Sequence, residues 1–361
     1  MKGKEITPKR LDILRRQMER EKLDGFLVSS PQNRYYFSGF TGDYGFLLVT
    51  ETRNILFLDS RFLEQAKEEC RGWEVIQFQR FHQDFSSLLS EIRVRFLGFE
   101  SQKLSFFDFK ELERNSPGVH FVPFPHLLEE IRGIKEPGEI LKIREAIRIA
   151  EESLGEVLKG GLIGNREEEV SLELEWKMRL KGAQKAGFDL VVASGKRSAL
   201  PHGVASPKAI GKKEFLLFDW GALKDYYHSD ITRTFFTGSP SKKQREVYLT
   251  VKEAIEETIL QITPGRSILE VFQFALSKIK NSPFKDFAFG HGLGHGVGLE
   301  VHEWPFIGPR SEGTFQPGMV FTIEPGIYIP GWGGVRIEEM VMVAKNRVEV
   351  LTSFPREISV I

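Results

Sequence analysis

Cysteine is almost missing from this chain of 361 residues: Cys70 stands alone, so no intrachain disulfide can form. That usage fits a reducing compartment, and the expected setting is cytoplasmic. Cys70 sits in Lys67-Glu68-Glu69-Cys70-Arg71, nothing like a nucleophile's surroundings, and reads as an incidental thiol. Long apolar runs are also lacking; none approaches the ~20 residues of a membrane span. The opening Met1-Lys2-Gly3-Lys4-Glu5 is charged and leads into no apolar core, so no signal peptide is expected. Neither charge is in excess, with 50 Lys and Arg against 50 Asp and Glu. Nucleic acid as the main partner would favour a basic face, and the balance argues against it.

The sequence does contain alternating helix-like and strand-like segments. Leu11, Leu14 and Met18 recur at helical spacing in 8–22, Gly25–Val28 reads as a short buried strand, and 45–50 with 54–58 read as a hairpin. This is α/β patterning in a small first domain. Breakers gather in Val122-Pro123-Phe124-Pro125 and in Arg132-Gly133-Ile134-Lys135-Glu136-Pro137-Gly138. The domains are therefore set at 1–131 and 132–361. The second repeats a plan: helices 137–159 and 167–185 with strands 214–221 and 229–236, then helices 242–262 and 266–280 with strands near 319–324 and 335–343. One sheet shared between the halves would bury both amphipathic helix sets on its outer face. The overall class is α/β (α+β), with a pseudo-twofold duplication in the second domain.

Each strand pair carries two acids. Phe215-Leu216-Leu217-Phe218 ends in Asp219, and the chain returns through His228-Ser229-Asp230. Val320-Phe321-Thr322-Ile323 ends in Glu324, and Gly334-Val335-Arg336-Ile337 leads to Glu338. A single acid at a strand end is usually a solvated turn residue; two matched pairs are harder to dismiss. Four converging carboxylates repel one another unless cations occupy the site or some are protonated. Oxygen-rich ligands with one imidazole suit divalent Mn, Co, Zn or Fe, and two such ions can bridge a hydroxide and polarise a carbonyl. The imidazole comes from the glycine-rich segment 290–303, which holds His291, His295 and His302. Its interleaved glycines disfavour a helix at ~1 kcal/mol each, and neither a helical zinc motif nor a dinucleotide fingerprint is complete. It reads as a loop whose backbone approaches a bound group closely. His202, in Leu200-Pro201-His202-Gly203, stands apart.

Together these motifs resemble the pita-bread metallopeptidases, the family of methionine aminopeptidase, prolidase and aminopeptidase P, over essentially the whole chain. The residues that carry the resemblance are Phe218–Ala222, His228–Phe235, His291–Glu303, Thr322–Gly326 and Gly334–Glu338. The first domain resembles the N-domain of prolidases, aminopeptidases P and creatinase in Asn33–Gly42 and Leu58–Phe62, a domain that methionine aminopeptidases lack. The resemblance implies metal ligands at Asp219, Asp230, His295, Glu324 and Glu338. It implies substrate contact and transition-state stabilisation by His202 and His302, a site-lining His291, and an Arg336 that orients carboxylates. Glu324 would also carry the proton. Two divalent ions are implied, manganese first, with cobalt, zinc or iron as alternatives, and a homodimer. Tyr226 and Trp220 depart from the family pattern, which favours glycine and phenylalanine there.

The expected activity is that of a metal-dependent aminopeptidase releasing the first residue from peptides with proline second, through a hydroxide bridged by two ions. A prolidase confined to dipeptides is the alternative. A pita-bread binding protein without catalysis is more distant, because all five ligand positions are intact. Arg336 is expected on the same strand face as Glu338 and so is engaged with carboxylates rather than with a substrate's proline carboxylate. Gly331, Gly333 and Gly334 are expected to leave an open cleft. Both points favour Xaa-Pro-Yaa peptides over Xaa-Pro dipeptides.

Overall fold

Alternating side chains decide the first sheet. Phe46 and Leu48 in Phe46–Thr50 and Ile55 and Phe57 in Asn54–Leu58 share one face. They pack against Phe81, Phe85, Leu88 and Leu89 of the helix Phe81–Glu91 and Leu112 of Phe106–Asn115. The six strands run in the order Glu74–Gln77, Asn54–Leu58, Phe46–Thr50, Gly25–Val28, Phe96–Glu100, His120–Phe124. The expected hairpin is antiparallel, with Val49 opposite Asn54, whereas Phe96–Glu100 joins Gly25–Val28 in parallel. Leu11, Leu14 and Met18 are buried along the helix Pro8–Arg20, as their spacing predicts. Cys70 is buried, and burial pushes its thiol up to about 12, which keeps it protonated.

This computed structural model describes residues 8–361; the charged Met1–Glu5 lies outside them. Two compact units divide between Arg132 and Gly133. No described helix is long and apolar enough to cross a membrane.

In the second unit, Pro137 and a Glu136/Glu139 capping box start the helix Pro137–Val157, and Ser241 with Gln244 does the same for Lys242–Gln261. The helix Glu167–Leu180 stops short of the expected 185, because Gly182 takes a left-handed φ of 97°. The expected strand 335–343 is two strands, Gly333–Arg336 and Glu339–Val343, broken at Ile337-Glu338. Val191–Ser194, Glu303–Ile307 and Gly326–Ile329 are further strands that the sequence pattern did not reveal.

The two halves do not share one regular ladder, as the pattern suggested. Val191–Ser194, Phe215–Trp220 and Ile231–Phe236 form one sheet. Glu303–Ile307, Gly294–Gly296, Val320–Ile323, Glu339–Val343 and Val348–Val350 form another. Threonines stitch the seam. The Glu338 amide donates to the Thr232 carbonyl at 3.0 Å, and the Thr234 hydroxyl donates to the Arg336 carbonyl at 3.0 Å. Hydroxyls there take places that a ladder would give to main-chain groups.

The glycine-rich segment is corrected as well. Gly294–Gly296 is a strand between Glu303–Ile307 and Val320–Ile323. A Cβ on Gly294 would overlap the Thr322 carbonyl, and one on Gly296 the Trp304 carbonyl. These glycines let backbone approach backbone, not a ligand. Gly290, four residues earlier, has nothing within 4 Å of its would-be Cβ. Gly294→Ala should therefore lower stability by about 3 kcal/mol or more, and Gly290→Ala by under about 0.5 kcal/mol, in urea unfolding. Equal midpoints for the two variants would contradict the packing.

Candidate active site

Strand ends deliver the acids. Asp219 lies near the end of Phe215–Trp220, and Asp230 directly precedes Ile231–Phe236; Thr232 pairs with Asp219 across the ladder. In the second half, Glu324 directly follows Val320–Ile323 and Glu338 directly precedes Glu339–Val343, with Ile323 opposite Glu339. His295 is central in Gly294–Gly296. The five residues form two triads sharing Glu338: Asp219, Asp230 and Glu338, and His295, Glu324 and Glu338. Within each triad the potential ligand atoms lie within 4.8 Å of one another. His302 joins Asp230 and His295 in a third such group, and its ring centroid is 4.2 Å from that of His295.

Hydrogen bonds fix the orientation of this set. His295 Nδ1 lies 3.2 Å from the Gly296 carbonyl and donates to it, which turns Nε2 toward Asp230 Oδ2 and Glu324 Oε1, each at 3.6 Å. The Thr232 hydroxyl donates to Glu338 Oε2 at 2.7 Å and accepts from Arg336 Nε at 3.1 Å. Arg336 Nη2 grips Asp219 Oδ2 at 2.6 Å, while Nη1 reaches the Pro201 carbonyl and the Tyr328 hydroxyl. That hydroxyl lies 2.9 Å from His291 Nε2, and His291 Nδ1 faces the Gly292 carbonyl at 2.6 Å. Arg233 braces the outer side: its guanidinium pairs with buried Glu339 at 2.7 Å and donates to the Thr232 and Glu338 carbonyls. Beside His302, Glu303 forms an ion pair with Lys135 at 2.7 Å, both side chains 1% exposed.

All the site residues expected from the sequence line one cavity of about 430 Å³: the four acids and the imidazole above, with His202, His291, His302 and Arg336. Phe188, Val204 and Phe306 supply apolar wall. His202 and His302 are exposed at it, whereas the acids are sunk deeper. Thr232 and Tyr328 were missed in the sequence. Thr232 was within reach, because Asp230, Thr232 and Thr234 alternate onto one face. Tyr328 lies in a strand that the sequence pattern did not reveal.

The electrostatics show strain that cations would relieve. Burial, then Glu338, Asp219 and Glu324, push the Asp230 carboxyl well above its usual range. Burial and then Glu338 do the same to Glu324. Burial and then Asp219 raise Glu338 to about 8. Asp219 Oδ1 is buried and accepts no hydrogen bond. Buried acceptors are rarely left so, and a cation is the partner that suits this one. Burial holds His295 and His291 neutral, at about 3 and about 4. A neutral imidazole is the form that ligates.

Residues 141–345 match the metallopeptidase family M24, and residues 10–134 match the creatinase/prolidase N-terminal domain. The chain belongs to this family of metallopeptidases, with the pita-bread fold behind a creatinase-like N-terminal domain, and it is an enzyme. It is 39% identical to the Xaa-Pro dipeptidase of Pyrococcus furiosus over 97% of this chain and 99% of that one. The structure of an Xaa-Pro dipeptidase from Bacillus anthracis matches with a TM-score of 0.94 at 38% identity, covering 98% and 99% of the two chains. An X-Pro aminopeptidase structure from Thermotoga maritima matches with a TM-score of 0.88 at 35% identity, covering 96% and 100%.

The site's titration yields a prediction for metal-free protein. Asp230, Glu324 and Glu338 hold protons in the fold that the unfolded chain, titrating at 3.8 to 4.5, has released. They remove stability as pH rises from there through about 8. His291 and His295 act oppositely but only below their unfolded value of 6.5, where the unfolded chain takes up protons that the fold refuses. Above 6.5 the carboxyl groups alone set the site's slope. The melting temperature of chelated protein should fall between pH 6.5 and about 8.5, and added divalent ion should stabilise more at the higher pH. A melting temperature that holds or rises across that window would contradict this.

Proposed function

We propose that this enzyme is an Xaa-Pro dipeptidase, hydrolysing the bond between a first residue and a C-terminal proline. The observation that carries the chemistry is the pair of triads joined through Glu338 at the floor of a cavity whose mouth holds two histidines. The substrate is supported by whole-length similarity to proteins described as Xaa-Pro dipeptidases. The dipeptidase reading is thereby preferred over the aminopeptidase expected from the sequence, one of whose supports holds only in part. Of the three glycines expected to leave an open cleft, Gly331 has nothing within 4 Å of its would-be Cβ, whereas a Cβ on Gly333 would meet Phe215, and one on Gly334 would meet the Ser198 carbonyl and Tyr328. Arg336 is engaged as expected, with Asp219, Thr232, Pro201 and Tyr328. A second reading, Xaa-Pro aminopeptidase, is favoured by the Thermotoga maritima likeness.

In this mechanism Asp219, Asp230, His295, Glu324 and Glu338 would hold two divalent ions. When bound, these supply a Lewis acid for the scissile carbonyl and make water nucleophilic near neutral pH. Glu324 takes the attacking water's proton and passes it to the leaving proline nitrogen. His202 and His302, at the cavity mouth, donate N–H groups to the developing oxyanion. Arg336 keeps Asp219 in place and, through Tyr328, keeps His291 at the wall. The substrate's free amino group lies against the carboxylates. Manganese as the ion, a homodimer and a cytoplasmic setting belong to the same reading.

Two measurements test it. With manganese present, kcat/KM for Xaa-Pro dipeptides should exceed that for Xaa-Pro-Yaa tripeptides, and Xaa-Ala should be cut poorly; the reverse order for the first two makes the enzyme an aminopeptidase. His202→Ala and His302→Ala should each lower kcat by ~10²-fold with metal content unchanged. Wild-type rates in both variants would remove their assigned role.

A further inference from the structure

His202 reaches the cavity on a long turn whose own anchoring is not part of the ligand set. The segment 195–205 leaves the strand Val191–Ser194, passes through Pro201 and His202, and comes back to Ser206. Excursions of this kind with neighbouring ends are Ω-type loops, held mainly by their own contacts. Here both ends meet one buried carboxylate. Glu167, the first residue of the helix Glu167–Leu180 and 0% exposed, accepts from the Ser194 amide and hydroxyl on Oε1, each at 2.7 Å. Its Oε2 accepts from the Ser206 hydroxyl at 2.6 Å, the Ser206 amide at 3.2 Å and Arg197 Nε at 2.9 Å. The helix start is itself pinned to the returning segment: the Glu167 amide donates to the Lys208 carbonyl at 3.0 Å, and the Glu168 amide to the Ser206 carbonyl at 3.1 Å.

We propose that Glu167 is a positioning residue for hydrolysis: its carboxylate closes the mouth of the 195–206 loop and so fixes His202 in the cavity. The inference rests on the role given to His202 above. Inside the loop, Arg197 Nη2 donates to the Val204 carbonyl at 2.5 Å and the Ser198 hydroxyl to the Gly195 carbonyl at 2.7 Å. The far side meets the strand Gly333–Arg336, where the Gly334 amide donates to the Ser198 hydroxyl and Arg336 Nη1 to the Pro201 carbonyl. Five donors converge on one carboxylate, and an acceptor-only group is what satisfies them all. An amide there would turn an NH₂ group against donors whichever way it faced. The loop mouth would open, and a shift of about 1 Å in a group at the reacting centre is enough to cost ~10²-fold in rate.

The test is a double-mutant cycle with a structural readout, on the metal-loaded enzyme. Glu167→Gln and Ser206→Ala, which removes only one donor, are each made with His202 and with His202→Ala. In the His202 background kcat should fall by ~10²-fold and by ~3-fold respectively, with little change in KM. In the His202→Ala background neither should lower the rate further. Bound metal per chain should stay unchanged, and amide exchange should quicken across 195–206 and not across the ligand strands. Additive losses, lost metal or unchanged exchange in the loop would overturn the proposal. If Glu167→Gln fails to fold, the Ser206→Ala cycle decides by the same criteria. Should His202→Ala run at the wild-type rate, the catalytic reading of His202 fails and the positioning role fails with it. Quickened exchange in Glu167→Gln would still show the carboxylate holding the loop.

Discussion

Mutual repulsion among four clustered carboxylates governs the second unit. Asp219, Asp230, Glu324 and Glu338 arrive from four strand ends at one cavity, and gathering four such groups there without a counter-charge is expensive. Proteins accept such clusters when cations or protons neutralise them. Protons alone would leave a neutral site with no function for its matched geometry, and an Asp219 oxygen with no partner. Divalent ions satisfy both, which is why the two triads and the orphaned oxygen belong to one account.

The surrounding packing serves to hold those charges against each other. Thr232 and Arg336 link Glu338 to Asp219 through a hydroxyl and a guanidinium, and Arg233 with Glu339 locks the backbone behind Glu338. Removing one member of such a buried pair costs far more than the pair contributes, because it leaves an uncompensated charge. Glycines do comparable work for His295. Without a Cβ at Gly294 and Gly296, its strand lies close enough to both neighbours to face its imidazole into the acids.

Much of this was legible from sequence because the carriers are local. Apolar runs ending in acids fix where Asp219 and Glu324 emerge, and helical spacing fixes Leu11, Leu14 and Met18 as buried. What escaped depends on tertiary neighbours. The 335–343 run is interrupted because Ile337-Glu338 crosses the seam toward Thr232, a partner more than a hundred residues away. The glycine segment looks like a loop until the strands on either side are known. Glu167 reads as an ordinary acid in a helix's first turn, and only the return of the chain at Ser206 reveals its second set of donors. Tyr226 adopts a left-handed φ of 69° in a tight turn, a conformation that glycine takes without strain, which explains the family's usual residue there but not why this chain differs.

The acids are arranged for ions and give up protons to receive them. Calorimetric titration of metal-free protein with manganese at pH 7, repeated in buffers of different ionisation enthalpy, reads both quantities at once. The account predicts two ions per chain and net proton release on binding, since Asp230, Glu324 and Glu338 must ionise to ligate. Binding of no ion, or binding whose heat is the same in every buffer, would contradict it.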